Sequence, residues 1–106
     1  MDKLIENLTK LSAEELDALL DRRDSRQFDC AWCELNESVP DPVHRFDTKE
    51  IFMRVSKATN AHEICSYISD DLELIYKLEK AGVESKFLSY LKACYEQGVV
   101  PCEWLS

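Results

Sequence analysis

Glycine is nearly missing from this chain: two residues in 106, Gly82 and Gly98, beside only three prolines. Turn-dense all-β domains and glycine-rich phosphate loops depend on those residues, so both are disfavoured. Positive charge is also scarce. Thirteen Lys and Arg face 21 Asp and Glu, a formal net charge of −8. A general nucleic-acid binder needs a basic surface to displace counterions from phosphates, so no nucleic-acid partner is expected. Long apolar runs are absent. No stretch approaches the ~18 apolar residues of a membrane helix, and no membrane role is expected. Acidic residues interrupt Met1-Asp2-Lys3-Leu4-Ile5-Glu6-Asn7-Leu8 at once, unlike an ordinary secretory signal. The five cysteines are odd in number, and the apolar content suffices for a core without staples. A reduced, cytoplasmic protein with free thiols is the expectation.

What remains is globular in balance, 45% hydrophobic and 32% charged. The apolar spacing is helical almost throughout. Leu4, Ile5, Leu8 and Leu11 make one face of a short first helix. Ser12-Ala13-Glu14-Glu15 has the form of a capping box, opening a helix with Leu16, Leu19 and Leu20 inward and a wholly polar end at 21–26. Phe28, Ala31, Trp32 and Leu35 form one stripe of a third helix from Gln27 to about Asn36. A loop at 36–47 follows, where Pro40 and Pro42 cannot continue a helix. Asp47 or Thr48 caps a fourth helix carrying Ile51, Phe52, Val55 and Ala58. Asn60, with Glu63 three residues on, reads as the cap of the longest helix, from Ala61 to about Lys80. Ala61, Ile64, Cys65, Ile68, Leu72, Ile75 and Tyr76 share a broad face of it. Tyr67, Leu74 and Leu78 form a second strip, as expected of a central helix packed from two directions. Gly82 suits the left-handed residue after its end. A last helix from about Val83 to Gln97 stops at Gly98. The tail Val99-Val100-Pro101-Cys102-Glu103-Trp104-Leu105 is too apolar to hang free and should fold back with Trp104 as anchor. The predicted architecture is all-α: one compact domain over 1–106, an irregular bundle of five or six helices with the tail packed on it.

Three constellations bear on chemistry. Cys30-Ala31-Trp32-Cys33 and His62-Glu63-Ile64-Cys65 together supply the ligand number and types of a tetrahedral zinc site. Against this, Cys30 and Cys33 point away from their helix's apolar stripe, and Cys65 lies within the apolar face of its own. Small core thiols and boundary thiols are the ordinary reading. A cysteine with His44 could form a nucleophile–base pair, although nothing in the spacing requires it. Asp70-Asp71-Leu72-Glu73 puts three carboxylates into four residues of the long helix. Glu73 and Lys77 stand in the favourable i, i+4 order. Asp71 differs, lying between apolar neighbours on both sides; it must be paired with another element or sit at a groove.

The expectation is a non-catalytic acidic protein that binds a macromolecular partner, a basic protein, through Asp70, Asp71 and Glu73, helped by nearby tyrosines. No catalytic residue, cofactor or metal is assigned. In size, acidity and helical character the chain is comparable with small bacterial immunity proteins and antitoxin-like inhibitors, a likeness of class without a residue pattern behind it. Two alternatives come from other classes: a zinc-stabilised adaptor on the Cys30/Cys33 and His62/Cys65 pairs, and a small cysteine-dependent enzyme. The apolar tail around Trp104 offers a route to homo-oligomers.

Overall fold

The computed structural model describes residues 2–39 and 47–104. Six helices account for most of them: α1 (Asp2–Thr9), α2 (Ala13–Arg23), α3 (Arg26–Glu37), α4 (Lys49–Thr59), α5 (His62–Ala81) and α6 (Lys86–Glu96). No strand is present among the described residues. Among the described residues no helix is long and apolar enough to cross a membrane. The prolines at 40 and 42, His44 and Phe46 lie outside the described residues.

The helix starts follow local chemistry. The Glu15 backbone N–H donates to Ser12 Oγ and the Ser12 N–H to Glu15 Oε1, each at 3.1 Å, which closes the expected capping box. Ser25 and Ser85 cap α3 and α6 by accepting from the N–H groups of Phe28 and Leu88. At α4 the side-chain acceptor is Asp47, whose Oδ1 takes the Lys49 N–H at 3.0 Å; Thr48 makes no side-chain cap bond. Asn60 corrects the reading of the α4–α5 junction. It does not open α5. It closes α4 at φ 54°, ψ 31°, with its N–H donated to Ser56 O, while α5 starts behind Ala61 without a side-chain cap. Asparagine tolerates the left-handed conformation better than any other non-glycine residue, and here that tolerance turns the chain.

Two apolar clusters make the core. Leu4, Leu8, Leu16, Val55, Ile64, Cys65, Ile68 and Val100 form the first. Phe28, Leu35, Leu74, Leu78, Phe87, Leu88 and Leu91 form the second. α4 lies against α1 and α5, and α3 lies against α6. The long helix is central, as expected, but it divides along its length. Ile64, Cys65 and Ile68 serve the first cluster, Leu74 and Leu78 the second, and Asp71 falls between them. Leu72, Ile75 and Tyr76, placed on the main face by spacing, are only half-buried.

The tail folds back. Val100 and Pro101 are buried, and Trp104 packs edge-on to Phe87 at 5.1 Å and tilted against Tyr90 at 5.4 Å. Gly98 makes this return path. Its φ is +75°, and a Cβ there would meet Asn7 Nδ2 and Lys3 Cγ at 2.8 Å and the Lys3 backbone carbon at 3.0 Å. The Asn7 amide donates to Gly98 O at 2.8 Å, tying the first helix to the tail. At Gly82 (φ +72°) a Cβ would meet nothing within 4 Å. Gly82→Ala is therefore expected to destabilise by ~1 kcal/mol, the left-handed penalty alone, and Gly98→Ala by at least ~2 kcal/mol, because backbone contact is added. Urea denaturation of the two variants side by side checks the order.

Candidate functional site

Arg23 ends the stretch that reads as wholly polar, yet it is 6% exposed. Its position explains this: it follows Leu16 by seven residues and Leu20 by three, so it continues the buried stripe of α2. It meets Asp71, which is completely buried. Arg23 NH1 donates to Asp71 Oδ2 at 2.5 Å and NH2 to Oδ1 at 2.8 Å, a two-pronged pair. Trp32 Nε1 donates to Oδ1 at 2.8 Å and the Tyr95 hydroxyl to Oδ2 at 2.5 Å. NH1 also reaches the Pro101 carbonyl at 3.0 Å. Side chains from α2, α3 and α6 thus converge on one carboxylate of α5, and the tail joins through the Arg23–Pro101 bond.

The electrostatics follow from that geometry. Burial works against the charge of Arg23, but the hydrogen bonds and attraction from Asp71 outweigh it, and the guanidinium is held protonated more firmly than usual. Burial, with the Asp71 charge behind it, pushes Tyr95 well above the ordinary phenol range, so Tyr95 stays a donor. The guanidinium is sandwiched between Phe28 and Tyr67, 4.6 and 4.7 Å from the ring centres.

Outside this centre, a groove runs between α3 and α5. Its cavity of about 200 Å³ is lined by Arg23, Asp24, Phe28, Asp29, Trp32, Cys33, Tyr67 and Asp70. A second recess carries it past Trp32, Asn36, Asp70, Glu73 and Lys77. The three carboxylates singled out by sequence thus have three different situations. Asp71 lies behind the groove with both oxygens occupied. Glu73 is on the surface and paired with Lys77 at 2.7 Å, the expected i, i+4 contact. Asp70 is exposed and makes no ion pair or hydrogen bond among the described residues. Partial desolvation, then repulsion from Asp71 and Glu73, raises the Asp70 carboxyl above its ordinary range. Of the tyrosines, Tyr67 lines the groove and donates to Asp24 Oδ1 at 3.1 Å. Asp29 on the opposite wall escaped sequence reasoning; only its place one turn before Cys33 on the polar side of α3 could have drawn notice.

The cysteine pairs do not come together. Cys30 and Cys33 are exposed on α3, Cys65 is wholly buried in the first cluster, and His62 is exposed and stacked on Phe52 at 6.3 Å. No group of three or more His, Cys, Asp or Glu that could hold a metal occurs among the described residues. Desolvation raises the thiols of Cys33, Cys65, Cys94 and Cys102, aided at Cys33 by Asp29, Cys30 and Glu37. A nucleophilic cysteine needs the opposite shift.

Asp71→Asn leaves a buried guanidinium without its counter-charge. It is expected to destabilise by ~3–5 kcal/mol, whereas Tyr95→Phe, which removes one of four donors, should destabilise by ~1–2 kcal/mol. Thermal and urea unfolding of both variants provides the check.

No curated protein and no solved structure matches this chain. A family model does: that of Immunity protein PIM1, which matches residues 1–102. That span is nearly the whole of the chain, and the protein belongs to the Immunity protein PIM1 family.

Proposed function

We propose that this chain is a non-enzymatic inhibitor that neutralises a toxin protein by binding it through the face between α3 and α5. The observation that carries the reading is the pair of uncompensated carboxylates, Asp29 and Asp70, on the two walls of a groove that exposes aromatic surface, in a chain of an immunity family. Carboxylates that lack partners of their own keep their charge available to a basic surface. With a net charge of −8, that attraction acts before contact and speeds encounter. Trp32 and Tyr67 supply the aromatic contact area typical of interface centres. Blocking is then steric and electrostatic and needs no chemistry from the inhibitor. A reducing compartment such as the cytoplasm suits its five free thiols.

Two outcomes test this. Asp70→Lys combined with Glu73→Lys replaces two surface acids and leaves Asp71 in place, so helicity should be retained. Association with the toxin partner is expected to slow by about tenfold at low salt, with a flatter salt dependence. Stopped-flow kinetics at several ionic strengths reads both, and unchanged kinetics would remove this face from the contact. The second outcome concerns pH. Because the Asp70 carboxyl is raised, it takes up a proton at a higher pH than an ordinary aspartate as the solution is acidified. Binding should therefore weaken on descent toward the carboxylate range, starting earlier than in Asp70→Asn, whose residual binding lacks that step.

A further inference from the structure

The α3–α5 cavity has a feature that an acidic surface alone does not explain. Arg23 forms part of its wall, is 94% buried by its 6% exposure, and its Nε has no hydrogen-bond partner. In the same guanidinium NH1 uses both of its hydrogens, on Asp71 and Pro101, and NH2 uses one of its two, on Asp71. A buried donor without an acceptor is rare in folded proteins and calls for a partner. The cavity therefore has one unmet demand that an acceptor could meet only after Arg23 is uncovered, and one that is open already: the carboxylates of Asp29 and Asp70, which require a cation.

The volume narrows the occupant. About 200 Å³ is below the range of roughly 300–1,000 Å³ that holds cofactors and drug-sized molecules, and suits a single side chain. The geometry points to a socket for one arginine residue of the toxin partner. Its guanidinium lies between Asp29 and Asp70 against the Trp32 indole. A planar guanidinium satisfies two carboxylates and an aromatic face together, which a compact ammonium does less well. Tyr67 covers Arg23, its ring 4.7 Å from the guanidinium and its hydroxyl donating to Asp24 at 3.1 Å, so the Arg23 donor stays closed behind it. This inference rests on the toxin-binding reading and adds to it the residue type that determines fit.

The probe is Nα-acetyl-arginine N-methylamide, titrated to millimolar concentration into the isotope-labelled intact chain and followed by NMR. Trp32 Nε1–H, bonded to Asp71 at the cavity floor, is the reporter; Trp104, packed on Phe87 and Tyr90, is the internal control. A saturable shift of the Trp32 indole peak is expected, with the Trp104 peak still. A dissociation constant on the order of millimolar would correspond to ~4 kcal/mol. The uncharged citrulline analogue should leave Trp32 unmoved, and the lysine analogue should bind several-fold more weakly. Asp29→Asn with Asp70→Asn, both exposed positions, should weaken the arginine probe by about tenfold while the rest of the spectrum is preserved. The socket is overturned if Trp32 does not respond, if citrulline or lysine binds as well as arginine, or if the double variant binds like the wild type. Failure here with toxin binding still sensitive to Asp70→Lys and Glu73→Lys removes the socket alone. An arginine response beside toxin kinetics indifferent to those substitutions removes the toxin-binding face instead.

Discussion

One carboxylate organises this protein. Asp71 is completely buried at the point where the two apolar clusters meet, and it accepts from Arg23, Trp32 and Tyr95. Burying such a charge is unfavourable unless every lone pair is met, and here four donor contacts meet them. A well-packed apolar substitute would often be as stable. What an apolar substitute does not provide is direction. A guanidinium fork, an indole N–H and a phenol must each arrive at a defined angle, so the pair fixes how α2, α3, α6 and the tail sit around α5. The first cluster and the second share no such device, and neither alone determines the relative placement of α2 and α6.

The same constraint builds the outer surface. Because Trp32 and Arg23 are drawn inward to Asp71, the space between α3 and α5 is floored by their side chains and walled by Asp29, Tyr67 and Asp70. Asp70 is held next to a buried like charge and cannot find a cation of its own on α5, since Lys77 is engaged by Glu73. Partial desolvation, reinforced by repulsion from Asp71 and Glu73, is what raises the Asp70 carboxyl there. Surface charge left uncompensated beside aromatic surface slightly disfavours the isolated chain, and it is this imbalance that the proposed toxin-binding face draws on.

Much of the fold was legible because its signals are local. The Ser12–Glu15 box, the apolar stripes of α3 and α6, and the left-handed glycine at 82 each depend on residues within one or two turns. Asn60 misled because the same residue type caps a helix start and tolerates a left-handed helix end, and only the backbone angle tells them apart. The site was legible in part. Asp71 stood out because apolar residues flank it at the helical repeat. Arg23 obeys the same rule, seven residues after Leu16, but its charged neighbours at 21, 22, 24 and 26 masked it.

Read alone, the sequence makes the chain helical and acidic, offers no glycine-rich phosphate loop, leaves a zinc reading of the cysteine pairs open, and requires a partner for Asp71. Periodicity and composition are properties of one segment at a time, so they suffice for this. Which partner Asp71 takes is settled by packing. Arg23 and Asp71 are 48 positions apart, and Pro101 lies 78 beyond Arg23. No helical repeat carries information over that distance. The choice of Arg23, the inward turn of Trp32 and Tyr95, and the groove left outside them all follow from packing six amphipathic helices so that one buried charge is satisfied.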